Sequence, residues 1–352
     1  MHISAKITGV KYKPFLCRQL EVFNLGEIEK AISNNASFIL QIDDKSQIAV
    51  SWWTSAKRSR TYPYARVYDS LSFQGKKITI IPIYKDEGIK GDRDYLQWDT
   101  ISSMSLLGVY TIISYYVDAE PNPRKKQKIT EQRFDMEHIK SEIEHFLSYQ
   151  SDALHWNLSQ IDKVGEIGRK ALDSYVKISK KLGIEMHSIN LAEKRIQNLL
   201  KSKENFMNLS RELAEKAQYR ESVTIQPKEK LSGTKATLTI KNYLGGYYYF
   251  TCDEVIIDKQ DICLIEGEHT EDDKLPSLID IKDGLWKMIL FTNLEDVKVD
   301  GEKYNPMPIL KLTTGNGFKM ESLNETQREM LNFLKQESVA NNFKIMINKN
   351  VY

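Results

Sequence analysis

Two short apolar runs bordered by acids are the most informative part of the sequence, in the stretch Asp253-Glu254-Val255-Ile256-Ile257-Asp258-Lys259-Gln260-Asp261-Ile262-Cys263-Leu264-Ile265-Glu266-Gly267-Glu268-His269. Each run is only a few residues long and is rich in β-branched side chains, which is typical of strands. If the two strands pair as a hairpin, the acids at their matching ends converge on one edge of a sheet.

These acids point to a divalent cation. Glu266 and Glu268 are two residues apart on one strand, so their side chains point to the same face. Carboxylates clustered with Asp253 and Glu254 repel one another strongly unless a positive charge lies between them. Mg²⁺ is the usual solution because it takes oxygen ligands and keeps waters that can attack phosphorus. The sequence therefore predicts bound Mg²⁺.

Helices and further strands surround the hairpin. Strand-like runs precede it at residues 236–240 and 247–250, and the spacing of apolar residues predicts a helix at about residues 277–291. Val297 opens a short strand, a second helix is predicted at residues 325–336, and an apolar run follows at residues 343–347. The order strand, strand, helix, strand predicts a compact α/β unit over residues 226–352.

The hairpin and the following helix together resemble the PD-(D/E)xK nuclease superfamily. In that superfamily an Asp on one strand is followed by an acid-x-Lys at the end of the neighbouring strand and then by a helix. The resemblance implies an α/β (α+β) fold, a restriction-endonuclease-like mixed sheet flanked by helices. It also implies that Asp253 is the first metal ligand and Glu266 the second, with Glu254 beside them.

The sequence departs from the superfamily pattern at one position, since Glu268 stands where the lysine is expected. Some restriction enzymes carry Glu there, where it helps to position or deprotonate the attacking water. His269 and Lys282 are nearby candidates for the missing positive charge. The catalytic residues implied by the resemblance are therefore Asp253, Glu266, Glu268, His269 and Lys282.

The rest of the chain divides into two further segments. Strand-like runs at residues 37–42, 48–53, 77–85 and 109–117, with a helix at residues 95–108, predict an N-terminal α/β domain over residues 1–120. The prolines and charges of residues 119–128 cannot build a core, so they mark a boundary. Helical spacing from about residue 134 to 220 predicts a helical linker or dimerisation region at residues 121–225.

The N-terminal segment contains a second candidate site with a similar order of acid, strand and lysine. Its residues are Asp69, Lys85, Asp86 and Glu87. Position 83, two before the lysine, is Ile, so Asp86 or Glu87 would have to supply the ligand. Two interpretations remain: a degenerate nuclease-like domain used for recognition or dimerisation, which we favour, or the true active site.

A basic and aromatic segment in the same domain is the best candidate for contacting DNA. Its residues are Lys57, Arg58, Arg60, Tyr62 and Arg66. Lysine and arginine neutralise phosphates, and arginine also reads guanine edges. A basic loop with buried aromatic side chains explains the same pattern equally well.

Composition excludes several classes of protein. The 352 residues include 50 basic and 48 acidic side chains, so the overall charge favours no particular partner. The three cysteines form no C-x-x-C pair, and the chain lacks a signal peptide and an apolar run long enough to span a membrane. We expect a cytoplasmic location. No P-loop and no serine or cysteine hydrolase motif is present.

The resemblance implies a type II restriction endonuclease that hydrolyses phosphodiester bonds of double-stranded DNA with Mg²⁺. Cutting both strands requires two sites, so we expect a homodimer, and a host would need a protecting DNA methyltransferase. The alternative is a non-catalytic DNA-binding or phage-defence assembly protein that keeps the fold without the chemistry. The absent lysine at position 268 favours this alternative.

Overall fold

The computed structural model describes residues 1–44, 46–56, 63–200, 234–242 and 247–352. The protein is mixed α/β and divides into two units, one of Met1–Gln19 with Glu212–Tyr352 and the other of Leu20–Arg211. Among the residues in those ranges, no helix has both the length and the apolar character needed to cross a bilayer.

In chain order the strands are β1 (His2–Ile7), β2 (Val22–Asn24), β3 (Ser37–Gln41), β4 (Gln47–Trp52), β5 (Lys77–Pro82), β6 (Tyr84–Asp86), β7 (Arg93–Tyr95), β8 (Val109–Ser114), β9 (Tyr116–Pro121), β10 (Ile129–Phe134), β11 (Thr234–Asn242), β12 (Tyr247–Asp258), β13 (Asp261–His269), β14 (Glu295–Val299), β15 (Glu302–Lys303), β16 (Asn305–Thr313), β17 (Lys344–Ile347) and β18 (Asn350–Val351). The helices are α1 (Ile28–Asn34), α2 (Pro63–Ser70), α3 (Trp98–Leu106), α4 (Met136–Leu147), α5 (Ala153–Asp162), α6 (Val164–Leu182), α7 (Ile189–Leu200), α8 (Leu278–Phe291) and α9 (Glu325–Asn341).

A nine-stranded mixed sheet forms the core of the unit that contains the C-terminal third of the chain. Its strand order is β15-β14-β1-β11-β12-β13-β16-β17-β18. Strands β11, β12 and β13 form an antiparallel meander, whereas β13, β16 and β17 are parallel. Parallel neighbours need a crossover connection, which runs through α8, β14 and β15 between β13 and β16 and through α9 between β16 and β17.

Helix α8 begins at a reciprocal cap and packs closely on the sheet. The Ser277 hydroxyl accepts a hydrogen bond from the Asp280 amide, and the Asp280 carboxylate accepts one from the Ser277 amide, both at 3.2 Å. Gly284 allows the close approach, because a Cβ atom there would lie 2.6 Å from Leu310 on β16. This packing places α8 directly over β13 and β16.

The second unit, Leu20–Arg211, is built around a five-stranded sheet of order β2-β3-β4-β5-β8. Only β3 and β4 pair antiparallel, and the other neighbours are parallel. Its core packs apolar residues of the sheet against α1, α4 and α5, and includes Phe38, Leu40, Ile78, Ile80, Ile112, Phe146 and Trp156. Hairpins β6–β7 and β9–β10 complete the unit.

The two units differ from the predicted segments at three places. Residues 119–128, predicted as a boundary, belong to the hairpin β9–β10, in which Ile129 pairs with Pro121 and Ala119 is buried. Helices α4 and α5 pack against β8, so they belong to the unit of residues Leu20–Arg211, the N-terminal unit, instead of forming a separate helical region; the other unit is the C-terminal unit. Strand β1 pairs with β11 and β14, which assigns the first residues to the C-terminal unit. Residues 201–225 of the predicted helical region lie outside the described residues.

The close packing of α6 and α7 gives a first test of the fold. A Cβ atom at Gly168 would lie 2.5 Å from Cγ2 of Ile196, which is buried. We expect Gly168→Ala to lower the free energy of unfolding by about 1–2 kcal/mol, since overpacking outweighs the gain in helix propensity. Urea denaturation measures the change. In an Ile196→Ala background the same substitution should lower the free energy of unfolding by clearly less. An equal decrease would contradict the described contact between Gly168 and Ile196.

Candidate functional site

The register of the central strands separates the predicted site acids onto two faces of the sheet. Glu254 lies opposite Ile265 on β13, and Lys311 on β16 lies opposite Gly267. Side chains alternate along a strand, so positions 265 and 267 face one side and Glu266 faces the other. Glu254 and Glu266 therefore lie on opposite faces.

Glu254 forms a buried ion pair on its face. Its side chain is completely buried, and Oε2 lies 2.8 Å from Nζ of Lys311, which is 8% exposed. A buried carboxylate needs such a partner because leaving it unpaired in the interior costs several kcal/mol. Glu254 therefore has a structural counter-ion of its own.

Glu266 forms a second buried ion pair on the other face, with a lysine of α8. Its Oε2 lies 3.4 Å from Nζ of Lys287, and these residues are 4% and 3% exposed. The same ammonium group donates a hydrogen bond of 2.6 Å to the carbonyl oxygen of Thr251 on β12. Lys287 thus ties Glu266 to the neighbouring strand.

Asp253 and Glu268 lie near the Glu266–Lys287 pair, and each makes contacts of its own. The Asp253 carboxylate accepts a hydrogen bond of 3.0 Å from the backbone amide of Gly267, next to Glu266. Glu268 shares the face of Glu266 and lies against α8, because a Cβ atom at Gly284 would be 3.1 Å from its Oε1. The structure therefore brings Glu266, Glu268 and α8 together on one face.

The two predicted sources of positive charge have other surroundings. His269 Nδ1 lies 2.8 Å from the Thr313 hydroxyl, on the adjacent strand β16. Lys282 is buried on α8, one turn after the helix begins. A cation in contact with Glu266 is Lys287, which was not among the predicted residues.

The structure limits which acids are able to share a metal ion. Within the described ranges, no group of three or more His, Cys, Asp or Glu side chains is placed to hold one. Glu254 is separated from Glu266 by the sheet and paired with Lys311, so the ligand set Asp253, Glu254 and Glu266 is not assembled here. Glu266 and Glu268 remain on one face. Mg²⁺ sites that also bind phosphate use only one or two protein carboxylates.

In the N-terminal unit, Asp86 is engaged in holding the fold together. Its carboxylate is almost fully buried and accepts hydrogen bonds from the Tyr84 hydroxyl at 2.7 Å and the Gly88 amide at 2.9 Å. The backbone amide of His187 donates to it at 3.0 Å, and the His187 ring lies 2.8 Å away. Asp86 thereby fixes the connection between α6 and α7.

Glu87 lies between two lysines. Its two carboxylate oxygens are 2.9 Å from Nζ of Lys85 and 3.0 Å from Nζ of Lys128. Burial raises the pKa of Glu87, but the two lysines outweigh it and hold that pKa below its ordinary value. Asp69, the remaining acid of this candidate site, is buried on α2.

Of the residues predicted to contact DNA, Arg66 lies within the described ranges. Lys57, Arg58, Arg60 and Tyr62 lie outside the described residues. The Arg66 guanidinium stacks 4.3 Å over the Trp52 ring and donates a hydrogen bond of 2.9 Å to the Trp52 carbonyl. Arg66 therefore contributes to packing within its own unit.

Sequence reasoning missed the two lysines that pair with the site acids. Lys287 gave one signal, because it is a single charge within the apolar run Leu285-Trp286-Lys287-Met288-Ile289-Leu290-Phe291. A lysine there must find a buried partner or reach solvent. Lys311 gave a similar signal in β16, between Leu310 and Leu312.

Comparisons with known proteins do not assign the chain to a family. No family model matches it, and neither curated proteins nor solved structures provide a match. The functional argument therefore depends on the residues and their geometry.

The ion pair of Glu254 gives a test of the described register. We expect Lys311→Met to lower the free energy of unfolding by about 3–5 kcal/mol, because it leaves a buried carboxylate without a partner. The double variant Glu254→Gln/Lys311→Met should recover most of the loss in urea denaturation. If the single variant is as stable as the wild type, the pair is not buried as described.

The lowered pKa of Glu87 predicts a pH-dependent contribution to stability. Because this pKa is depressed in the folded protein, the ion pairs stabilise the fold above the ordinary Glu pKa of about 4.3 and lose that effect as the pH falls through the lowered value. Wild type and Glu87→Gln should differ most in free energy of unfolding near pH 7, and the difference should shrink as the pH falls through the lowered pKa of Glu87. Glu144→Gln, an exposed site on α4, is the control and should show no such convergence.

Proposed function

We propose that this protein hydrolyses phosphodiester bonds of double-stranded DNA with Mg²⁺, as a nuclease of the type II restriction class. The observation that carries the proposal is the cluster of Glu266, Glu268 and Lys287 on one face of the central strands, with Asp253 on the adjacent strand. Metal-assisted phosphodiester hydrolysis requires a bound metal ion, and carboxylates on one face of a sheet are groups that could hold it.

The topology around the cluster supports the same proposal. The acids lie on the antiparallel strands β12 and β13, and the chain then passes through α8, β14 and β15 to β16, which pairs parallel with β13. Glu268 and His269 stand at the carboxyl end of β13, beside the ends of β16 and β17. Ligands of open α/β sheets commonly bind at the carboxyl ends of parallel strands.

Glu266 and Glu268 would hold the Mg²⁺ ion, with oxygens of the DNA phosphate completing its coordination. Bound Mg²⁺ supplies an activated water and stabilises the charge that develops on the phosphate. The protein contributes the fixed positions of its carboxylates, because burial and the contact with Lys287 hold Glu266 in one orientation. Cutting both strands would require a second copy of the chain, and a host would need a protecting methyltransferase.

A second function is favoured by a specific observation. Glu254 and Glu266 are each neutralised by a buried lysine, so the acids are balanced in charge without a metal ion. Acids that are already paired with lysines do not need a metal ion, which favours a non-catalytic DNA-binding or defence-assembly protein. Supercoiled plasmid incubated with and without Mg²⁺ separates the two functions, since defined fragments support the nuclease and retarded but uncut DNA supports the binding protein.

We expect Glu266→Gln to reduce plasmid cleavage at least about 1,000-fold while DNA affinity changes by less than about threefold. The substitution keeps the size of the side chain but removes a charge that would hold the metal ion. Cleavage is measured on agarose gels and affinity by fluorescence anisotropy in Ca²⁺.

The control variant is Glu87→Gln, which removes a carboxylate that is paired with Lys85 and Lys128 in the other unit. It should cleave like the wild type. Persistent cleavage by Glu266→Gln together with loss in Glu87→Gln would move the active site to the N-terminal unit.

A further inference from the structure

The hairpin β9–β10 ends in a turn with three consecutive basic residues, Arg124, Lys125 and Lys126. All three are exposed, and none of them forms an ion pair with a residue of the described ranges. We propose that residues 122–128, the basic tip, bind the phosphate backbone of double-stranded DNA. The proposal rests on the proposed function for the choice of DNA as the partner, but its test requires no cleavage.

Hydrogen bonds hold the backbone of the basic tip in one conformation. The side-chain oxygen of Asn122 accepts hydrogen bonds from the backbone amides of Arg124 at 3.0 Å and Lys125 at 2.9 Å. The Asn122 amide donates to the Lys128 carbonyl at 2.9 Å, and the Lys128 amide donates to the Lys125 carbonyl at 3.3 Å. A turn that is already ordered loses less conformational entropy on binding than a mobile loop, so its charges bind a partner more tightly.

The charges on the strands of the hairpin are paired, in contrast to those of the basic tip. Arg133 on β10 lies 2.6 Å from Asp118 and 2.9 Å from Glu120, both on β9, and Lys181 lies 2.7 Å from Asp118. Hydrogen bonds from Lys181 and Arg133 lower the pKa of Asp118 to about 2. The acids of β9 are therefore neutralised by other cations, and the positive charge of the tip stays available for a partner.

The end of α6 adds positive charge beside the basic tip. Lys177 and Lys180 are exposed on the last two turns of this helix, which packs against β9. The tip and the helix end adjoin, because a Cβ atom at Gly88 would lie 2.7 Å from the Gln127 carbonyl oxygen and 3.2 Å from Ile184, which follows α6. Cations on both elements therefore attract the same approaching polyanion.

The composition of the tip favours the backbone of a duplex over other polyanions. Exposed lysine and arginine neutralise phosphates and release their counter-ions, which gives sequence-independent binding. Residues 121–128 include no large apolar side chain, which a loop that enters a membrane surface would carry. They include no aromatic side chain either, and single-stranded nucleic acids are bound largely by stacking on such side chains.

The experiment measures binding of a fluorescein-labelled DNA duplex by anisotropy, without Mg²⁺ and over a range of salt concentrations. We expect Arg124→Gln/Lys125→Gln/Lys126→Gln to bind at least about tenfold more weakly than the wild type near 0.1 M salt. The slope of log Kd against log salt should fall by about 2–3, because three phosphate contacts are lost.

Two further variants separate the basic tip from overall charge. Lys30→Gln/Lys140→Gln/Lys349→Gln removes the same number of charges from α1, α4 and the β17–β18 turn, and its affinity should change by less than about threefold because these charges are screened from the tip. Asn122→Ala keeps every charge but removes the acceptor that orders the turn. It should weaken binding by about threefold to fivefold.

Circular dichroism establishes that each variant is folded, and Lys125→Gln/Lys126→Gln takes the place of the triple tip variant if the latter does not fold. Unchanged affinity and salt slope in the tip variant, or an equal loss in the control, would overturn the proposal and leave the proposed nuclease standing. Tighter binding of duplex RNA or of phosphatidylserine vesicles than of DNA would overturn it as well. A loss confined to the tip variants, in a protein that never cuts plasmid, would support the proposal while rejecting the nuclease.

Discussion

Two buried lysine–glutamate pairs, on opposite faces of the same strands, set the constraint on which the C-terminal unit depends. Moving a charge into the interior costs several kcal/mol unless a partner is in contact. Lys311 reaches Glu254 only when β12, β13 and β16 keep their register, and Lys287 reaches Glu266 only when α8 packs at one position. The pairs therefore favour one alignment of the sheet and its helix over others with equal apolar burial.

The same constraint divides the acids by role. On one face, the charge of Glu254 is neutralised by Lys311, and this ion pair stabilises the fold. On the other face, Glu268 lies beside Glu266 and under α8. Gly284 allows α8 to lie close enough for Lys287 to enter the cluster, because a side chain there would meet Leu310 and Glu268. The absence of a side chain at Gly284 thus helps to bring the charge of Lys287 close to Glu266.

Local sequence signals predicted several elements of the fold closely. The helix expected at residues 277–291 is α8, Leu278–Phe291, with Ser277 as its cap, and the hairpin of residues 253–269 is β12 and β13. Each of these depends on neighbouring residues and short periodic patterns. The contribution of β1 was missed, although His2–Ile7 alternates between exposed and buried positions. Its partners β11 and β14 are more than 200 residues away, and nothing local specifies such pairing.

The candidate site was predicted only in part, because local patterns determine some of its features and long-range packing determines the others. The shared face of Glu266 and Glu268 follows from the two-residue period of a strand and needs no tertiary information. The separation of Glu254 from Glu266 depends on pairing across strands, and the contact with Lys287 depends on how α8 docks. A motif search fixes the lysine at one position in the sequence, whereas electrostatics requires only that an ammonium group reach the carboxylate. A helix that crosses the strand meets that requirement from 21 residues away, so charge balance is the property to look for when a motif lacks its cation.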